Sequence, residues 1–105
     1  MEENYIEIGQ TSDIPSGTVK IYEYEDISVA ICNVNGNFHA IENVCSHDDG
    51  PLGDGKLIGK NIECPRHGAQ FDVTTGEITR MPAHGPVQTF PVKIEETKIF
   101  IEIDE

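Results

Sequence analysis

Cys45-Ser46-His47 and Cys64-Pro65-Arg66-His67 each set a thiol and an imidazole two or three residues apart. Sixteen residues separate His47 from Cys64. Each pair falls where a strand-like stretch gives way to a loop, so each loop offers one thiolate and one imidazole. Four such donors close a metal site and leave no coordination position for substrate. A structural zinc is one candidate, but zinc sites commonly take their cysteines as one pair and their histidines as another. Here the two types are interleaved. Interleaving suits a two-iron cluster in which Cys45 and Cys64 hold one iron and His47 and His67 the other, each loop spanning the Fe₂S₂ core. A zinc-binding or non-redox interaction module and a relic site without metal are the rivals, separable by colour, iron and labile sulfide. One [2Fe–2S] cluster on these donors carries no net charge when both irons are ferric, and reduction adds a single negative charge. Such a site passes single electrons and makes no bonds.

The elements that must hold these loops are short. Stretches rich in Ile, Val, Phe, Tyr and Thr recur between turn signals, giving candidate strands at 5–8, 18–24, 27–34, 37–42, 61–63, 70–73, 87–94 and 98–103. Asn35-Gly36 is a two-residue hairpin signal, because both positions favour positive φ. Glu25-Asp26 and Glu95-Glu96-Thr97 mark two further hairpins, and Thr74-Thr75-Gly76 a tight turn. In the last strand Ile99, Ile101 and Ile103 alternate with Lys98, Phe100 and Glu102, as expected for a strand with one buried face. No long segment shows a helical period. Residues 44–59, with four glycines, and 80–86, with two prolines, interrupt the strand rhythm. The chain therefore reads as one all-β domain over residues 1–105, a sandwich or small barrel.

With 105 residues and no Trp, the core is expected to be thin and a bound cofactor to supply part of the stability. Nineteen acids against seven bases give a net charge of −12. That excess repels nucleic acid and anionic membranes, and favours a protein partner with a basic face. The acids concentrate at the ends: seven with one base in 1–26 and five with two bases in 92–105. Residues 27–91 carry only −3. Val29 to Cys32 is the longest apolar run, far below the roughly 20 residues of a membrane span. With no basic-then-apolar start, the protein is expected to be cytoplasmic. Three cysteines, two of them beside histidines, point to metal rather than to a disulfide framework.

These motifs and their flanks resemble the Rieske ferredoxins, the soluble carriers of bacterial ring-hydroxylating oxygenases. Phe38-His39-Ala40-Ile41-Glu42-Asn43-Val44 is similar to the family's strand into the first ligand loop, and Gly50-Pro51-Leu52-Gly53-Asp54-Gly55 to the glycine loop after it. Gln70-Phe71-Asp72 with Thr75-Gly76 resembles the segment after the second loop, and Pro82 and Pro86 the proline loop that covers the cluster. The resemblance implies the Rieske fold (ISP domain), in which a cluster-binding subdomain with two ligand loops, about 44–86, caps an antiparallel β-sandwich base. It also implies that the histidine edges face solvent. A flavin-dependent reductase as electron donor, a terminal oxygenase as acceptor and a monomeric carrier are the corresponding expectations. The small Rieske subunit of an assimilatory nitrite reductase is the alternative within the same fold.

Departures from the respiratory Rieske branch are informative. Its extra loop cysteines would fall at Gly50 and Arg66, so that disulfide is absent, and its sulfur-directed hydroxyls would fall at Ala69 and Phe71. Without those donors the reduction potential should lie near the bottom of the Rieske range, which begins at roughly −150 mV. Asp48 and Asp49, just after His47, push it slightly in the same direction. Cys32 reads as a small buried apolar residue and His39 as an ordinary strand residue. His84 is expected on the surface of the cover loop, with tuning of the cluster as its alternative role. Arg66 is expected as a solvated charge, with partner docking as its alternative. Gly53, Gly55 and Gly68 read as places for tight turns and close approach to sulfide.

Overall fold

The computed structural model describes residues 5–44, 51–65, 68–81 and 85–103. Eleven strands among them form three antiparallel sheets. The first contains β1 (Tyr5–Gln10), β10 (Val92–Glu95) and β11 (Lys98–Glu102), in the order β1-β11-β10. The second is β2 (Val19–Tyr24), β3 (Ile27–Val34), β4 (Asn37–Glu42) and β9 (Thr89–Phe90), side by side in that order. The third runs β5 (Lys56–Ile58), β6 (Asn61–Glu63), β7 (Gln70–Asp72) and β8 (Ile78–Arg80). Two 3₁₀ turns, Thr11–Asp13 and Leu52–Asp54, complete the described elements. This is the all-β architecture expected from the strand and turn pattern.

The second sheet is the middle layer, and β3 explains why. Its apolar run has no polar alternation because both faces are buried. Val29 and Ile31 pack with Ile14, Phe90, Ile99 and Ile101 toward the first sheet. Ala30 and Cys32 point the other way, into a core with Ile41 of β4 and with Leu52, Ile62, Phe71 and Val73 from the third sheet and its loops. In β11 Ile99 and Ile101 are fully buried, with Ile103 just beyond at 5% exposure, as the alternation requires. Asn35 and Gly36 take φ of 54° and 91° between β3 and β4, the twist that a two-residue hairpin needs. Glu25 and Glu96 take positive φ in the other two hairpins.

Three expectations are corrected. Residues 87–94 are two strands: β9 pairs with β4, β10 pairs with β11, and the chain changes sheets at Pro91. Proline has no N–H to donate to a ladder, so it marks the crossing, while its carbonyl accepts from the Glu102 N–H at 3.0 Å. β5 forms within the segment 44–59 read as interrupting the strands, and β8 where no strand is expected. Each is only three residues long and is held by its neighbour, β5 by β6 and β8 by β7.

Candidate metal centre

The first motif loop begins where β4 ends. Glu42 donates its N–H to the Gln88 carbonyl (2.8 Å), and Asn43 donates its N–H to the Ser28 carbonyl on β3 (3.0 Å). Residues 45–50 follow, and the chain returns at Pro51 into the 3₁₀ turn, whose Leu52 is fully buried. The buried Asn43 side chain reaches forward to this return: its Oδ1 accepts the Gly53 N–H at 2.5 Å, while its Nδ2 donates to Ser28 Oγ at 3.0 Å.

The second motif opens at the end of β6. Cys64 donates its N–H to the Ala69 carbonyl (2.7 Å), and Gly68, at φ 81°, donates to the Cys64 carbonyl (3.1 Å). The β6–β7 ladder therefore extends by one pair, and Gly68 bonds back to Cys64. Cys64 is 2% exposed and shares its core with Leu52, Ala69 and Phe71, the last three fully buried. The two loops are brought together at Gly55, where a Cβ would collide with the Glu63 carbonyl, the residue before Cys64. Gly53 is equally committed, with Ile21 Cγ1 2.5 Å and Asn43 Oδ1 3.0 Å from where its Cβ would stand. At these two glycines the close approach is to neighbouring protein atoms.

A third segment arrives at the same end. β8 leads to Met81, 66% exposed, and the chain comes back at Gly85. Val87 then enters the Cys64 core and donates its N–H to the Gly76 carbonyl (2.8 Å), one residue before the Gln88 carbonyl that caps β4. The described flanks of the three segments thus meet in one core through Leu52, Cys64, Ala69 and Val87.

Of the expected ligands, Cys64 is placed at this convergence. Cys45, His47 and His67 lie outside the described residues, as do Asp48, Asp49, Gly50, Arg66, Pro82 and His84. Cys32 is fully buried on β3, and burial pushes its thiol up to about 12, the behaviour of an inert apolar side chain. His39 is half-buried, opposite Cys32. It sits three residues back from the end of β4, about 10 Å at strand rise, lining a groove of about 370 Å³ with Phe38, Thr89 and Pro91. Ala69 and Phe71 share the core of Cys64 and bring no side-chain donor. Asn43 is the residue near the site that residue types alone did not single out; its signal is an amide in a run that is otherwise strand core.

A buried cysteine at a tight turn, in an apolar shell shared by both motif loops, fits a cluster held by two donors from each loop. Among the described residues, no helix is long and apolar enough to cross a membrane.

The profile of the Rieske [2Fe-2S] domain matches residues 4–91. The chain is 35% identical over 104 residues to the ferredoxin component of the naphthalene 1,2-dioxygenase/salicylate 5-hydroxylase systems of Ralstonia sp.. That match covers 99% of this chain and 100% of the relative. The Sphingomonas yanoikuyae B1 ferredoxin superimposes with a TM-score of 0.90 at 32% identity, over 96% of this chain and 100% of that one. A chain from the complex of reduced oxygenase and oxidised ferredoxin in carbazole 1,9a-dioxygenase also gives a TM-score of 0.90. It is 30% identical, with 95% of this chain and 94% of that one covered. These matches set aside the zinc and metal-free readings. The chain belongs to the Rieske [2Fe–2S] domain family, in its ferredoxin branch, and is an electron carrier with one Rieske-type cluster.

Proposed function

We propose that Cys45, His47, Cys64 and His67 hold the cluster, and that this carrier takes single electrons from a flavin-dependent reductase and delivers them to a terminal oxygenase of a ring-hydroxylating system. The observation that carries the reading is that Cys64 is buried in one core with Leu52, just after the first motif, and with Ala69 and Phe71, just after the second. The complex of oxygenase and ferredoxin containing a similar chain supports the choice of acceptor. Residues 1–105 act as one domain and one monomer, with the cluster-binding part at about 44–86. That part carries six acids against four bases, whereas the rest carries thirteen against three. The strong negative charge therefore belongs to the base, and the cluster end meets its partner nearly neutral.

The test is reconstitution under anaerobic loading and aerobic turnover with a purified reductase and a ring-hydroxylating oxygenase. Product formation should require this protein and should rise with its concentration until another component limits. Reduction of the carrier without any electron transfer to such oxygenases would contradict the proposed acceptor and leave the cluster assignment standing.

A further inference from the structure

The first motif lies between β4 and the 3₁₀ turn at Leu52–Asp54, and among the described residues no backbone hydrogen bond like that of Cys64 and Ala69 links its two flanks. The ends are joined through Asn43. Its side chain is 7% exposed and uses both kinds of polar atom: Oδ1 accepts from Gly53 at 2.5 Å and Nδ2 donates to Ser28 Oγ at 3.0 Å. Ser28 in turn donates its hydroxyl to Glu23 Oε2 at 2.9 Å, which leaves its lone pairs facing the Asn43 amide. Ser28 sits on β3, the strand buried on both faces, directly opposite Glu23 on β2. The loop is thereby fastened to the stiffest layer of the molecule.

We propose that Asn43 is a positioning residue for the cluster: by tying Gly53 to Ser28 it clamps both ends of residues 44–52 and fixes the geometry of the donors between them. This rests on the reading that Cys45 and His47 are ligands. Only a short amide fits the role. Leucine offers neither donor nor acceptor, aspartate has no N–H for Ser28, and glutamine is one methylene too long. Gly53 is closely packed at the clamp, since a Cβ there would stand 2.5 Å from Ile21 Cγ1. A loop released at one end samples several ligand geometries, so the cluster should become both heterogeneous and easier to strip.

The test uses the intact holoprotein and the variants Asn43→Leu, Ser28→Ala and Ser28→Thr. Iron release to a chelator should accelerate at least about tenfold in Asn43→Leu, the factor expected from losing buried hydrogen bonds. The paramagnetic resonance lines of the reduced cluster should broaden. Ser28→Ala should move both readouts in the same direction by less, and Ser28→Thr, which restores the hydroxyl, should return them to the parent values. Amide exchange in β3 and β11 should stay as slow as in the parent throughout. Parent-like release and line width in Asn43→Leu would overturn the proposal. So would exchange in β3 and β11 accelerating in step with iron release, which would make Asn43 a general determinant of the fold. Failure of Ser28→Thr to rescue would equally overturn the Ser28 link. If instead the parent cluster shows no iron-bound nitrogen, the ligand reading fails, while the iron-release comparison still decides the clamp.

Discussion

The base and the cluster end of this molecule are built by different rules. The β1-β11-β10 sheet and its facing layer use strands mostly of four to eight residues in register, with an Ile-rich core between them. The cluster end uses three-residue strands, and its core includes Cys64, Ala69 and Leu52 from loops. Long paired strands fix one another through ladder and burial together. Three-residue strands cannot, so they depend on shared neighbours: Gly55 lying on the Glu63 carbonyl, Val87 bonded to Gly76, and the cluster itself. The base is thus expected to fold for its own sake, and the cluster end to need the metal to complete it.

The largest separation between the two should come from Cys64→Ser. Without its thiolate the cluster should be lost, amide exchange across β5–β8 should become fast, and β3 and β11 should remain protected. Full iron content with an unchanged visible spectrum would remove Cys64 from the ligand set. Collapse of both halves together would instead erase the distinction between them.

Core truncations sharpen the contrast. Phe71→Ala in the cluster-end core and Ile101→Ala in the base core both empty fully buried sites. Losses of about 3–5 and 2–5 kcal/mol are expected, respectively, from such truncations. Denaturant unfolding of the apoprotein and holoprotein should show that only Phe71→Ala also speeds cluster loss. Equal cluster loss in the two would mean the cores act as one.

Acid should act first on the cluster end through Asp72, which ends β7. Burial works to raise its carboxyl, but hydrogen bonds from the Thr74 hydroxyl (2.6 Å) and N–H (2.8 Å), with Lys60 at 3.3 Å, outweigh it and hold the carboxyl low. A group lowered by folding contributes stability above its unfolded value, about 3.9, and loses it as pH falls toward the folded value. Parent minus Asp72→Asn stability should therefore be largest near neutral pH and shrink below about pH 4. A difference independent of pH would show that the carboxylate charge is not what holds the turn.

The smallest effect should belong to Cys32→Ala, which leaves a methyl group in the same core on the middle strand. It should keep all its iron and lose about 1 kcal/mol of stability. Loss of iron there would mean that the third cysteine had been misplaced.

What was legible in the chain follows the same division. The Asn35-Gly36 hairpin and the alternation through Ile99, Ile101 and Ile103 are local signals, and the structure reproduces them. The short strands β5 and β8 are not legible, since three residues hold no period and their pairing comes from partners elsewhere. Pro91 carried the signal for a break between β9 and β10, but the apolar pattern on either side of it reads as one strand. The site divides likewise. Residue type and spacing point to Cys45, His47, Cys64 and His67 as the proposed donor set, because coordination chemistry is specific about both. They do not disclose Asn43, whose part depends on Ser28 and Gly53 meeting it in three dimensions.

The donor set is tested most directly by the nitrogens bound to iron. Protein labelled with ¹⁵N only at histidine should, once reduced, show strong hyperfine coupling to two imidazole nitrogens in pulsed electron resonance. Both couplings should persist in His39→Ala and His84→Ala. Two directly bonded nitrogens retained in those variants are the predicted result. One nitrogen or none in the parent, or a coupling that disappears with His39 or His84, would contradict ligation by His47 and His67.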